Sequence, residues 1–287
     1  MFNGRIEQNY EENSYLCTQN ACEGVARAAL LQGKRTKEME ILGQAPVQTI
    51  LFIVIYTITG VVPLMAALYL LLRRGNAFAP DTMPPLRLRR WTAAFFAVLA
   101  LGHVWWFLLY VFSGDIRSVD GTYQSVGYLT AIVLDYVTLL PTIAGTLLAM
   151  LQDRRRPLWP WLVVMLPVVM FAVVGMDGRS WYYGYVLPHY YQLLVVAAFV
   201  VYYIFALRQY GRWLRDNYAD LEHKEVWQSL TFVVVLFVIY AVYTSNMGEM
   251  AREYLSQVIS IVIIGFLLWR VETLEELPSE EEFSKKQ

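Results

Sequence analysis

An all-α, polytopic membrane bundle of seven transmembrane helices is the fold class this sequence predicts, with the N-terminus outside and the C-terminus in the cytoplasm. Three observations carry that expectation. Of the 287 residues, 57% are hydrophobic and 16% charged, whereas a soluble domain carries about a quarter charged residues. Seven apolar runs follow one another along the chain, and the basic residues are sorted between the loops that join them. The net charge of −1 supplies no basic field for nucleic acid.

The chain divides into a polar lead over 1–45, a membrane region over 46–270 and a short exit over 271–287. The first apolar run, Val47–Leu72, is long enough to cross a hydrocarbon core of about 30 Å at about 1.5 Å per residue. Six more follow at Trp91–Phe112, Val126–Leu151, Leu158–Val174, Val186–Leu207, Trp227–Tyr243 and Tyr254–Trp269. The fourth and the last two are short, and six spans result if one of the last pair is re-entrant. Pro63 and Pro141 fall inside runs one and three and permit kinks there.

The loops test the count. Arg73, Arg74, Arg87, Arg89 and Arg90 lie between runs one and two, and Arg154, Arg155 and Arg156 between three and four. Arg208, Arg212, Arg215 and Lys224 lie between five and six, and Arg270, Lys285 and Lys286 follow run seven. The alternate loops hold Arg117, Arg179 and Arg252, a contrast of 15 basic residues against 3. By the positive-inside rule the basic loops are cytoplasmic.

The lead over 1–45 fits this topology poorly, because Arg5, Arg27, Lys34, Arg35 and Lys37 resist translocation and no signal-peptide layout precedes them. Either translation starts at Met39, or the lead is a polar disordered tail. Cys17 and Cys22 stand without a second Cys/His pair and read as ordinary thiols.

On the cytoplasmic side, Arg208–Gln228 carries an apolar stripe of Tyr210, Leu214, Tyr218 and Leu221 at helical spacing. It reads as a helix lying on the inner leaflet, or as a mechanical link between spans five and six. Beyond Trp269, the helical face Val271, Leu274 and Leu277 is expected to continue out of the membrane until Pro278. Tyr218, Leu221, Val271 and Leu274 are thus the expected signal-transmitting residues.

The ionisable side chains deep within an apolar run are His103 and Asp135. Each lies nine residues from the outer end of its helix, at Phe112 and Val126, which is about 13.5 Å and close to the bilayer midplane. A charge there costs roughly 2.5–3.5 kcal/mol unless it is paired or wet. A His103–Asp135 pair between spans two and three is therefore expected, as a structural clamp or as part of a ligand- or proton-linked site. Thr138, Thr142 and Gly145 continue the Asp135 face of span three, and small or hydroxyl residues on one face mark helix contacts in membranes. Trp106 and Tyr110 continue the His103 face outward. The run from Trp181 through Tyr185 to His189, Tyr190 and Tyr191 gathers aromatics at the mouth of span five. They form either an interfacial belt or the wall of an outer pocket for a small apolar or amphipathic ligand.

No phosphate loop, zinc-protease motif or nucleophile elbow is present, and three separated histidines argue against a metal site. No catalytic residue, metal or cofactor is assigned, and the chain is expected not to be an enzyme. His223 is weighed as a phospho-accepting histidine and set aside for want of an ATP-binding domain.

Several stretches are familiar: Leu72-Arg73-Arg74-Gly75-Asn76 with Pro84-Pro85-Leu86-Arg87-Leu88-Arg89-Arg90-Trp91, Gly102-His103-Val104-Trp105-Trp106, Asn217–Trp227 and Leu267–Leu274. Together they resemble the N-terminal multi-span sensor region of membrane-bound regulators from Bacteroides-type bacteria. In that family a histidine-kinase core or an AraC-type DNA-binding domain follows the membrane region. The resemblance covers roughly 45–277 and carries no catalytic motif; the chain stops where such an output domain would begin. It implies a multi-pass inner-membrane input module of a two-component-type system, orphan or truncated. Its expected partners are the lipid bilayer, a small ligand, and either a second copy or a separate kinase or regulator. The competing reading is a small-solute or proton-linked transporter with His103 and Asp135 as its relay.

Overall fold

In the computed structural model the described residues are 50–73, 75, 83–180, 182–219, 224, 226–246 and 249–277. The lead over 1–45, Cys17, Cys22, Met39, Leu221 and His223 lie outside them. The helices are α1 (Ile50–Leu72), α2 (Leu86–Phe112), α3 (Val126–Met150), α4 (Trp159–Met176), α5 (Leu187–Asn217), α6 (Trp227–Asn246) and α7 (Glu249–Thr273). A π-helical turn, Tyr182–Val186, leads directly into α5. Six helices are long and apolar enough to cross a membrane, and α6 adds the apolar stretch Trp227–Leu236.

The burial pattern explains why these runs form a bundle. Leu64, Met65 and Leu68 of α1, Leu101, Val104 and Phe107 of α2, Leu166 and Met170 of α4, and Val258, Ile261 and Val262 of α7 all point outward. An apolar sheath of this kind is costly in water and neutral in hydrocarbon. Helix α3 has no exposed residue along its length and is the central element. Its approach to α2 is set at both ends by glycine. A Cβ at Gly127 would collide with the Leu109 carbonyl, and one at Gly145 would press into the Trp91 ring. Gly145 thus does serve the close contact expected of its face. Gly175 of α4 meets Gly184 of the π turn backbone to backbone in the same way.

Between α2 and α3 the chain makes a small antiparallel hairpin, Asp115–Arg117 with Tyr123–Ser125, in the register Asp115 to Ser125. Asp120-Gly121 supplies the turn, with Gly121 at φ 85°, where a residue without Cβ is favoured. The Val119 N–H donates to the Gly178 carbonyl at 2.7 Å, tying the hairpin to the end of α4.

The end of the bundle that carries the basic loops buries several of its charges, among them Arg89, Asp153 and Arg156. Arg156 makes a two-pronged bridge to Asp153 at 2.6 and 2.8 Å, with both residues buried. Arg89 donates from Nε to the Leu70 carbonyl at 2.9 Å, and Arg87 to the Arg156 carbonyl at 3.2 Å. These contacts join the α1–α2 and α3–α4 connections. Helix α5 extends through the first part of the stretch expected to lie on the leaflet, ending at Asn217, and its Tyr210, Trp213 and Leu214 are buried in the bundle. Tyr210 donates to the Lys224 carbonyl at 3.0 Å. That stripe faces protein rather than lipid, because the 206–214 region packs onto the Asp153–Arg156 turn: the Arg156 guanidinium donates to the Ala206 carbonyl at 3.4 Å.

The exit also departs from expectation. Helix α7 stops at Thr273, and Leu274–Leu277 is not helical. Val271, Leu274 and Leu277 are buried in the core instead of running out of the bundle. The reason is polar. Gln152 donates to the Glu275 carbonyl at 2.8 Å and accepts from the Leu277 N–H at 2.8 Å, and the Glu276 N–H donates to the Met83 carbonyl at 2.9 Å. Backbone groups beyond the helix end are thus satisfied by neighbouring turns.

Two stability outcomes follow. Asp153→Ala leaves the Arg156 guanidinium buried and unpaired, and should lower unfolding free energy by about 3–5 kcal/mol. Gly175→Leu forces α4 off the π turn, and should cost about 1–3 kcal/mol as an overpacked contact. Both are read from melting of the purified protein in detergent, with unchanged melting contradicting the packing described.

Candidate functional site

The expected midplane pair resolves into two separate polar groups on α2 and its neighbours. Asp135 accepts from the Trp105 indole N–H at 3.1 Å and from the Trp106 indole N–H at 2.6 Å. His103 turns elsewhere. Its Nδ1 lies 2.9 Å from the Leu99 carbonyl and its Nε2 3.1 Å from the Thr59 hydroxyl and 3.4 Å from Gln257 Oε1. Its ring packs against Tyr56 of α1, with centroids 4.6 Å apart. A carbonyl only accepts, so Nδ1 carries a proton.

The correction has a simple cause. Counting residues from the outer end fixes depth but leaves azimuth open. At about 100° per residue on a helix, His103 projects to one side of the direction in which Trp105 and Trp106 reach α3. His103 therefore links α1, α2 and α7, where Thr59 also donates to Gln257. Asp135 is left to the indoles. Both of its oxygens meet donors and no acceptor, the surroundings a carboxylate requires. Among the described residues no cationic side chain forms an ion pair with it.

Asp135 lines a cavity of about 480 Å³ whose walls come from α2, α3, α4, the π turn, α5, α6 and α7, within the usual range for small-molecule sites. Most of the wall is apolar, including Phe95, Leu139, Leu140, Trp161, Met165 and Phe199. At the Asp135 end the wall is aromatic. Trp106 meets Tyr128 edge-on at 5.5 Å, Tyr128 lies 6.3 Å from Tyr185, and Tyr185 stacks on His189 at 6.1 Å. The Tyr136 hydroxyl reaches His189 Nδ1 at 3.4 Å. The π turn explains the placement: inserted ahead of α5, it brings Tyr185 and His189 to the cavity side.

Gln192 is the other polar element of the wall. It is 1% exposed, and its Oε1 accepts no hydrogen bond. A buried acceptor left unsatisfied costs about 1–3 kcal/mol. Helix α7 contributes Ser256, Ile259, Ser260 and Ile263.

The other residues expected at the site fare differently. Trp106 and Asp135 belong to the cavity. Thr138 donates to its own helix, at the Leu134 carbonyl, at 2.6 Å, and does not line the cavity. Tyr190 is exposed and sits edge-on to His189 from outside the wall; one residue along the helix, His189 takes the inward place expected of it. The Tyr110 side chain lies outside the described residues. Tyr128, Tyr136, Gln192, Ser256 and Ser260 were not singled out from sequence. The signal for Gln192 was present, as a lone amide within the apolar run Val186–Leu207.

Of the expected signal-transmitting residues, Tyr218, Val271 and Leu274 lie at the opposite end, and Leu221 is outside the described residues. Tyr218 caps α5 with an extended backbone. Lys224 lies 5.8 Å over its ring and pairs with Glu275 at 3.1 Å. Burial raises the Tyr218 phenol above its ordinary pKa, and the Glu275 carboxylate adds to the shift. Val271 and Leu274 are fully buried beside it in the core cluster that includes Tyr210 and Trp213. Among the described residues no group of three or more His, Cys, Asp or Glu side chains converges as a metal site would require.

Comparison with known proteins finds no family model that matches the chain and no matching curated relative.

The indole bonds give a direct test of the site. Asp135→Leu strands two indole N–H groups and should lower stability by about 2–4 kcal/mol, whereas Asp135→Asn keeps an acceptor and should cost clearly less. Equal melting of the two variants in detergent contradicts the carboxylate–indole arrangement.

Proposed function

We propose that this chain is the membrane-embedded input module of a two-component-type signalling system, resident in the bacterial inner membrane with seven spans and its basic loops inside. It has no chemistry of its own to perform. A small molecule in the cavity alters the packing of α7, and α7 delivers the change to the exit segment Leu274–Leu277. The supporting observation is the double membership of α7. Ser256, Ile259, Ser260 and Ile263 line the cavity, and about two turns further on Val271 and Leu274 enter the buried cluster that holds the exit.

Such a signal requires that the ligand bind two arrangements with different affinity. The docked exit is one of them. Its hold combines polar contacts through Gln152, Lys224 and the Met83 carbonyl with the burial of Leu274 and Leu277 at one end of the bundle, so its release is a local opening rather than unfolding of the whole. A partner kinase or regulator, or a second copy, reads the released segment. The resemblance to sensor regions of membrane-bound regulators supports the same reading.

A carrier is the second reading, favoured by the Asp135 carboxylate on a cavity wall, which forms no ion pair among the described residues. The two differ in outcome. In a Cys17→Ser, Cys22→Ser background, Leu277→Cys should label slowly with a soluble maleimide, and adding Leu140→Trp to fill the cavity should raise that rate by roughly threefold or more. Proteoliposomes should show no proton flux above empty vesicles. Unaltered labelling together with a flux that Asp135→Asn abolishes would establish the carrier instead.

A further inference from the structure

We propose that the cavity selects an amphipathic cation: a protonated amine carried on an apolar body, with its ammonium group beside Asp135. The inference rests on the cavity serving as a ligand site, and it adds the ligand's chemical class.

Four features converge on that chemistry. Asp135 lies on the wall, and both of its oxygens receive indole N–H groups at 3.1 and 2.6 Å. Neutral donors orient a carboxylate but leave its charge in place, and in an apolar interior that charge attracts a cation strongly. His103, the nearest candidate for an internal counter-charge by depth, is turned into the α1–α7 contact with Thr59 and Gln257.

The second feature is the aromatic surround. Trp106, Tyr128 and Tyr185 form a continuous run of rings, with centroids 5.5 and 6.3 Å apart, next to the carboxylate. Ring faces stabilise a desolvated ammonium through their quadrupole, and a carboxylate within an aromatic wall is a recurrent means of holding one. The same rings offer nothing comparable to an anion.

The third is Gln192, whose buried Oε1 lacks a donor. The oxygen is closed off from the cavity as the side chain stands; a turn of the amide that brings it to the wall would offer an ammonium group an acceptor, whereas a carboxylate or phosphate would add a further acceptor. The fourth is the remainder of the wall. Phe95, Leu139, Met165 and Phe199 provide an apolar chamber for the body of the ligand. His189 is the imidazole on this wall, beside the phenols of Tyr128, Tyr136 and Tyr185; it is stacked on Tyr185 and faces the Tyr136 hydroxyl. If His189 rather than Asp135 set the sign of the site, an anion would be preferred.

The test uses three probes of similar size and different charge: phenylbutylamine, phenylbutanol and phenylbutyrate. Each is titrated by calorimetry into the full chain in nanodiscs of zwitterionic lipid, with protein-free nanodiscs as the reference for partitioning. The amine should bind about tenfold or more tightly than the alcohol, and the carboxylate should not bind. Asp135→Asn should bring amine and alcohol to within about twofold of each other, and Tyr185→Leu should weaken the amine severalfold while sparing the alcohol. Tyr185→Leu leaves the Asp135 bonds intact, so it answers the question even if Asp135→Asn folds poorly. Equal binding of amine and alcohol, preference for the carboxylate, or no binding of any probe overturns the proposal. Binding of the amine with no change at Leu277 counts against the signalling reading alone and leaves the ligand class standing.

Discussion

A carboxylate in the middle of an apolar bundle has to be satisfied by its neighbours, and the way Asp135 is satisfied shapes the centre of this molecule. Two adjacent indoles of α2 reach across to one residue of α3, which fixes the rotation of both helices about their axes. Glycine permits the close approach that this demands, at Gly127 near one end of α3 and Gly145 near the other. With α3 enclosed along its length, the remaining helices pack around the α2–α3 pair. The cavity is what remains where aromatic side chains from α2, α3 and α5 meet without filling the space between them.

The polar groups fall into three sets with different consequences. The set around His103 joins α1, α2 and α7, and its bonds are mutually supplied. The set around Asp135 retains a charge that its donors do not neutralise, and it opens on the cavity. The set at the far end buries Arg156 with Asp153 and seats the exit segment on Gln152. Helix α7 reaches all three regions: Gln257 bonds with the His103 set, Ser260 lines the cavity that Asp135 lines, and Val271 enters the core cluster beside the exit. A displacement of α7 is therefore felt at both ends of the bundle. That is a physical route for coupling, and its strength depends on how far an occupant changes the packing between Ser256 and Ile263.

Much of the architecture could be read from the sequence, because helix length and hydropathy are local properties. The apolar runs and the inward face marked by Gly145 both have counterparts in the fold. What could not be read was direction around an axis and the behaviour of helix ends. His103 and Asp135 share a depth, yet a small rotation separates them, and sequence spacing within one helix carries no information about the azimuth of its neighbour. The exit looked helical because Val271, Leu274 and Leu277 keep helical spacing. A non-helical segment can bury the same three residues once Gln152 and the Met83 carbonyl satisfy its backbone, and those partners lie far away in sequence. Asp120-Gly121 has the residue types of a hairpin turn, but strands of three residues are too short for periodicity to register. Gln192 carried a readable sign, an amide amid apolar residues, whose meaning depended on what faced it.

In the proposed function, occupancy of the cavity governs the hold on the exit. Hydrogen exchange at the Glu276 and Leu277 amides, which donate to the Met83 carbonyl and to Gln152, measures that hold directly. In nanodiscs saturated with phenylbutylamine these two amides should exchange faster than in the unliganded protein, while amides in the middle of α3 stay unchanged. Exchange at Glu276 and Leu277 that is identical with and without bound amine would contradict the account.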